Sequence, residues 1–470
     1  NIRYELSHNE ILIIDDFSFQ RLSSARYLDL HNNKIKNLTS YTFFGLSELE
    51  DLDLSYNKII FIYDMAFDAL KKLRSINLSF NPLKILSKNL FQQGLPLSSL
   101  LLDNCEIELV ENGTFQGLNN LKYLSLRNNS LKSSDLLCLD IPGLKYLSLS
   151  YNILDYLPVE AFLNLPLLEI LYLEHCNIEK IMDGSFINNK NLFQLNIAQN
   201  IISDIPEKLF SEYNSILEFN ISNNFLDYIP YNIFDNFHFV QSLDFFNKIR
   251  RLSISPFSKL FFLENLDLSY NRITHLKTSN FRGLVKLNTL CLSNNNIESM
   301  ESFDEDLSNL KLLDLSHNKL QNIINEHLIH LKELTVLNLS FNNIKYLSAT
   351  AFNNLNKIIQ IDFEHNKLQT IPMELLTSIE NHVQDISIKD HPKIIKPYTV
   401  ICFNDDYPKE KCDFPLIVQL SVDKHTDNSV LVSWLIRNRT AIKALKILYY
   451  SENVESDVSS LCLHIELYHF

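Results

Sequence analysis

The sequence predicts an α/β-type solenoid, one short parallel strand per turn, followed by a small all-β segment. Three observations carry that expectation. A 24-residue frame recurs along most of the 470 residues, and apolar side chains alternate within its strand positions. Near residue 416 the period stops, and plain alternation of apolar and polar residues takes over.

The frame is clearest from Leu49 to Phe67, LEDLDLSYNKIIFIYDMAF. Leu49, Leu52, Leu54, Ile59 and Ile62 stand at positions 1, 4, 6, 11 and 14, with Asn57 at 9 and Phe67 at 19. Asn9, Asn33, Asn57, Asn81, Asn129, Asn152, Asn200, Asn224, Asn271, Asn295, Asn318, Asn342 and Asn366 mark the same slot, and Cys105 and Cys176 fill two more. Positions 4 and 6 point inward on a strand because successive side chains alternate. Chain direction is the same in every copy, so neighbouring strands pair in parallel. The asparagine amide, donor and acceptor at once, suits the bend after the strand. One unit cannot bury its apolar face alone, but a stack can. About sixteen strands, each roughly 4.8 Å from the next, give an arc of about 75 Å.

Phe19, Phe43, Phe67, Phe91, Phe115, Phe162, Phe186, Phe210, Phe234, Phe257, Phe281 and Phe352 each follow the asparagine slot by ten residues and are expected to stack as a spine on the convex side. Departures fall at Leu139 and Pro142, at LDFFNKIRRL (Leu243–Leu252), which lacks one residue, and at Phe303, displaced by two. Each is expected to alter curvature locally.

The pattern LxxLxLxxNxLxxL…aFxxL resembles the extracellular class of leucine-rich repeats. That resemblance implies a horseshoe outside the cell, with parallel strands on the concave face and an irregular or short-helical convex side. Residues 1–391 are assigned to it. At the end of the array His391-Pro392 stands where an Asn-Pro pair commonly opens the family's C-terminal cap, so residues 392–415 read as a flank. Cys402 and Cys412 bracket the polar loop FNDDYPKEK. They are either a small disulfide sealing the core or two unpaired thiols. Cys105 and Cys176, three repeats apart, lie too far from one another to bridge and are expected as buried thiols.

From residue 416 to 470, IVQLSV, SVLVSWLI and AIKALKILYY read as strands. Their order, with Trp434 closing the second, resembles the first half of a fibronectin type III sandwich. A complete one needs more chain. The sequence opens inside a repeat at Asn1, so it reads as a piece of a longer secreted or membrane-anchored product.

Composition narrows function. A formal charge of −14 without a basic stripe argues against nucleic acid or anionic membrane as partner. No apolar run is long enough to span a bilayer, so any membrane link would run through a segment outside this sequence. There is no phosphate-binding glycine loop, CxxC or HExxH, and the His327-x-x-His330 pair reads as surface histidine. No catalytic residue, metal or cofactor is expected.

What remains is a surface. Position 5 offers Asp29, Asp53, Asp244, Asp267, Asp314 and Asp362, with Tyr172. Position 8 offers Tyr56, Phe80, Tyr151, His175, Tyr270, His317, Phe341 and His365. Exposed rings beside carboxylates suit a protein partner. Any single one of them reads first as a common spelling of the repeat, whereas the face as a whole reads as a binding surface. Sequons occur at Asn37, Asn77, Asn112, Asn128, Asn220, Asn338 and Asn438. Asn77, Asn220 and Asn338 fall at position 5, where glycans would shield part of the concave face. Solenoid plus partial sandwich resembles cell-surface adhesion molecules and receptors of the chaoptin-like, Toll-like and neuronal leucine-rich kinds. The resemblance implies a non-enzymatic recognition ectodomain whose partner is a protein ligand or cell-surface receptor, another copy of itself included. A Toll-type pattern-recognition or cytokine receptor and a secreted matrix or growth-factor-binding protein are the alternatives.

Overall fold

The computed structural model describes residues 2–91, 94–229 and 232–369, then residues 371, 372, 375, 383 and 385–387, and four strands between 417 and 468. A 17-stranded parallel sheet runs from Ile2–Glu5 to Asp385–Ser387, one strand per repeat. Register is direct: Leu52 pairs with Ile76, Ile76 with Leu100, and Leu100 with Leu124, so position 4 faces position 4 throughout. The strand at Asp385–Ser387 takes the sheet one past the expected sixteen.

On the other side of the turn, two-residue strands pair in twos, as Asn37–Leu38 does with Phe61–Ile62 and Tyr156–Leu157 with Lys180–Ile181. The remaining convex segments are turns, with short 3₁₀ stretches at Ser133–Cys138, Thr278–Phe281 and Glu305–Asn309 and one helical turn at Asn325–Leu328. Among the described residues no helix is long and apolar enough to cross a membrane.

The asparagine slot holds the bend. Asn57 donates Nδ2–H to Leu30 O of the preceding repeat at 2.9 Å and to Leu54 O of its own at 3.0 Å. Its Oδ1 accepts the N–H of Ile35 at 3.0 Å. Asn33, Asn81, Asn200, Asn295 and Asn342 repeat this pattern, all buried. Asn247 joins the rail despite the missing residue before it, reaching Ile221 O at 3.0 Å.

The two cysteine slots show what the amide supplies. Cys105 and Cys176 are free and buried, and their thiols donate to Leu78 O and Leu149 O at 3.2 and 3.1 Å. Burial pushes both thiols up to about 12. With no side-chain acceptor in the slot, the cysteine backbone carbonyls take over, accepting from Lys84 N at 3.2 Å and Leu154 N at 2.9 Å. The chain then turns left-handed at Lys84 and Glu106, and again at Asp155 and Asn177. Losing one oxygen shifts backbone conformation in two adjacent repeats.

The phenylalanine spine forms in segments. Phe19, Phe43, Phe67, Phe91 and Phe115 stack with successive centroids 6.0 to 6.4 Å apart. Leu139 then interrupts them, and Phe162, Phe186 and Phe210 resume at 5.6 and 5.5 Å. Phe303, displaced in sequence, nevertheless meets Phe281 at 5.8 Å. Further on, the structure corrects an expectation: His327 is buried rather than on the surface. It precedes Leu328 of the spine slot, and its Nδ1 accepts the Ile324 N–H at 3.4 Å, as Thr42 Oγ1 does for Thr39 at 2.8 Å.

The C-terminal strands are Ile417–Thr426 paired antiparallel with Ser429–Ile436, and Ala444–Ser451 paired antiparallel with Leu461–Tyr468. Three match the expected strands and the fourth was not foreseen. His391-Pro392, Cys402, Cys412 and Asn438 lie outside the described residues.

Candidate functional site

The six position-5 aspartates end their strands, and each caps its own turn. Asp29, Asp53, Asp244, Asp267, Asp314 and Asp362 accept the N–H two residues on, at 3.0, 2.8, 3.4, 2.8, 2.9 and 2.8 Å. Asn77, Asn196, Asn220 and Asn338 do the same at 2.9 to 3.1 Å. The slot therefore asks for an oxygen, and charge is incidental to the cap. Asp244 and Asp267 face each other across adjacent strands. Burial, reinforced by the Asp267 charge, raises the Asp244 carboxyl above the usual carboxylate range. Beside them the free Cys291 thiol is pushed up to about 12 by burial, with Asp267 next in effect.

The position-8 rings sit differently from the sequence expectation. The strands end at position 5, so Tyr56, Phe80, Tyr151, His175, Tyr270, His317, Phe341 and His365 lie in the turn beyond them. They line the lip of the concave sheet rather than its floor. All eight have φ between 52° and 62°, the left-handed region that L-residues with large side chains rarely adopt. They gather wherever neighbours allow: Tyr56 on Phe80 at 4.1 Å, Tyr151 on His175 at 4.4 Å, and His317, Phe341 and His365 in a column at 4.1 Å spacing. Tyr270 meets Phe246 at 4.8 Å.

The strongest constellation lies mid-sheet and includes two residues the slot analysis missed. Tyr123 and Tyr146, both at position 3, are register partners whose rings stack at 4.1 Å and 7°. Tyr172 meets Tyr146 edge-on at 5.6 Å. On the adjoining lip Arg127 lies over the Tyr151 ring at 4.5 Å, and Tyr151 stacks on His175. Burial raises the Tyr146 hydroxyl, with the Tyr123 hydroxyl next in effect, and burial raises that of Tyr172 too. The signal was present as KYLSL spelled twice, at Lys122–Leu126 and Lys145–Leu149.

Of the sequons, Asn37, Asn112 and Asn128 are exposed, whereas Asn77, Asn220 and Asn338 are half-buried on the concave strands.

A leucine rich repeat family model matches this sequence. It matches residues 5–59, 23–83, 96–152, 142–202, 166–226, 262–305, 299–344 and 332–381, most of the chain. The chain belongs to the leucine-rich repeat family. Among solved structures it is similar to a leucine-rich repeat protein of Leptospira interrogans, at 23% identity and TM-score 0.66, over 82% of this chain and 94% of that one. It is similar to Drosophila Toll in its complex with Spatzle, at 20% identity and TM-score 0.64, over 78% of this chain and 54% of Toll's. It is also similar to TLR13 in complex with ssRNA13, at 24% identity and TM-score 0.51, over 83% and 70%. Identities at this level establish a shared leucine-rich repeat fold. No curated protein matches. The ssRNA complex means that the repeat fold alone does not exclude a nucleic-acid partner.

Proposed function

We propose that this chain is a non-enzymatic extracellular recognition ectodomain, of a cell-surface adhesion molecule or receptor, that binds a protein through its concave face. The observation that carries the reading is the cluster of Tyr123, Tyr146 and Tyr172 on the sheet with Tyr151 and His175 on the adjoining lip. Stacked, half-exposed rings with Arg127 among them are the residue types that dominate interface energy. Held by parallel backbone pairing, they need little ordering when a partner arrives. A formal charge of −14 favours protein over RNA as that partner.

Two sequons frame the platform. Asn77 and Asn220 each stand two strands outside its first and last strands, with Ser99–Leu101 and Gln194–Asn196 between. Glycans there would leave the tyrosines as an open window. In this reading residues 1–391 are the recognition solenoid, 392–415 its flank, and 416–470 part of a fibronectin type III-like spacer.

The test is secretion of the chain as a multivalent probe against a panel of extracellular proteins and cell types, beside Tyr146→Ala/Tyr151→Ala and the convex-side variant Phe61→Ala. Expected is saturable binding that the tyrosine pair abolishes and Phe61→Ala preserves. Binding indifferent to the tyrosines, or no binding outside RNA, would overturn the proposal.

A further inference from the structure

At the N-terminal end of the same sheet, away from the tyrosine platform, two imidazoles face one another. His8 lies in the turn of the first repeat and His31 in that of the second. Their Nε2 atoms are 3.0 Å apart, and the rings stand almost perpendicular, at 82°. Each ring is held by its other nitrogen. His31 Nδ1 is 2.6 Å from Asp29 Oδ1, and the same oxygen accepts the His31 backbone N–H at 3.0 Å. His8 Nδ1 is 2.6 Å from Asn32 Nδ2.

That arrangement fixes tautomers. An Nδ1–H donated to Asp29 leaves the His31 Nε2 lone pair free, aimed at His8. The Asn32 Nδ2–H faces His8 Nδ1, so His8 keeps its proton on Nε2 and donates it to the His31 Nε2 lone pair. An ion would take that proton's place, the Asn32 amide turning to present its oxygen to His8 Nδ1–H. With the proton displaced, both Nε2 lone pairs face one point. Bonds of about 2.0–2.1 Å from two imidazoles to one ion place their nitrogens about 2.9 to 3.4 Å apart, from right-angled to tetrahedral geometry. The observed separation falls inside that interval. A carboxylate behind a histidine is also the usual outer-shell partner of a metal-bound imidazole.

The surroundings favour a cation. Glu5, Asp29 and Asp53 occupy position 5 on three adjacent strands, in register, and form a carboxylate row beside the two rings. Asp29 is almost wholly buried, whereas His8 is exposed, so the approach is open from solvent.

We propose that His8 and His31 bind a divalent transition-metal ion, Cu²⁺ or Zn²⁺, through their Nε2 atoms, with Asp29 and Asn32 orienting the rings. Imidazole pairs suit these ions and not Mg²⁺ or Ca²⁺. Two ring nitrogens leave the remaining coordination positions to water. Asp29, His31 and Asp53 also lie close enough together to hold an ion without His8, and this competing arrangement makes the opposite mutational prediction.

The experiment uses the full chain without an affinity tag, titrated with CuCl₂ and ZnCl₂ by calorimetry, with electron paramagnetic resonance of the Cu²⁺ form. Expected is one ion per chain and a Cu²⁺ signal split by two nitrogens. His8→Ala and His31→Ala should each weaken binding at least about tenfold, the scale on which even an outer-shell partner registers. Asp53→Asn, which removes one charge of the row and no ring nitrogen, should weaken binding less than either histidine variant. Circular dichroism melts matching the wild type establish that the variants fold. Absence of a saturable site, or persistence of binding in the His8→Ala/His31→Ala double variant, would overturn the proposal. So would loss on Asp53→Asn with binding retained in His8→Ala, which assigns the ion to the carboxylates.

Discussion

Asn81 offers the sharpest test of the view that one side chain per repeat holds the bend. It is buried, donates Nδ2–H to Leu54 O and Leu78 O at 2.9 Å each, and accepts the buried Ile59 N–H at 2.9 Å. In Asn81→Ala both carbonyls keep one partner, Asn57 for Leu54 and the Cys105 thiol for Leu78. The Ile59 N–H loses its acceptor. An orphaned buried donor costs about 1–3 kcal/mol and each lost bond about 0.5–1.5, so the loss is about 2–6 kcal/mol. Asn81→Cys should cost less, because Cys105 and Cys176 show the thiol reaching one carbonyl while the backbone supplies the missing acceptor. Asn81→Asp should cost most, since a buried carboxylate would face carbonyl oxygens. Urea unfolding followed by circular dichroism gives the ranking. Hydrogen exchange over peptides from 49 to 86 locates the loss, which matters because a repeat array can open locally. Alanine within about 0.5 kcal/mol of wild type, the range of an ordinary surface change, would refute the reasoning. So would aspartate tolerated as well as cysteine.

Burial holds His327 below the ordinary imidazole range, so the unfolded chain takes up its proton first and stability falls as pH drops below about 6.5. His327→Thr keeps a cap for Ile324 of the kind Thr42 provides, and urea midpoints from pH 7.5 to 5 should lose part of their slope. Asp244→Asn retains the turn cap and removes repulsion from Asp267, whose effect together with burial raises the Asp244 carboxyl in the fold. The raised carboxyl disfavours the folded state above the usual carboxylate range, so the variant should unfold at higher urea at pH 7, and the gain should vanish near pH 3. Gly45 and Gly94 both have positive φ, but a Cβ at Gly45 would lie 2.5 Å from the Gln20 backbone while one at Gly94 meets nothing. Gly45→Ala should therefore lower the melting temperature well beyond Gly94→Ala, and equal losses would show that φ alone decides.

Sheet, rail and spine were legible because each slot answers one physical demand and a period of 24 states that demand many times. Legibility failed where a residue serves a neighbour rather than a slot. Tyr123 and Tyr146 occupy position 3, which the repeat leaves free, and their significance appears only when the register sets them side by side. The aspartates were visible, but their duty as turn caps was not, because the N–H they accept belongs to a turn whose geometry the pattern does not state. His327 was misplaced because a histidine beside a spine position looks polar in sequence, whereas the cap it makes is internal.

The same slots separate what folding requires from what it leaves open. Position 8 needs a left-handed backbone, which Asn32, Asn104, Asn128, Asn223 and Asn294 adopt as the residue type that, after glycine, suits it best. A tyrosine, phenylalanine or histidine there gives up about 1–2 kcal/mol in backbone preference. A stacked neighbour returns about 0.5–1.5 kcal/mol. The two nearly cancel, so stability is close to indifferent between an asparagine lip and an aromatic one. Position 3 carries no demand beyond the strand, and at position 5 Tyr172 forgoes the cap oxygen that most of its counterparts use. Where folding is indifferent, or slightly opposed, residue choice is available to binding. The strands that carry Tyr123, Tyr146 and Tyr172 are where aromatic rings occupy those free positions side by side.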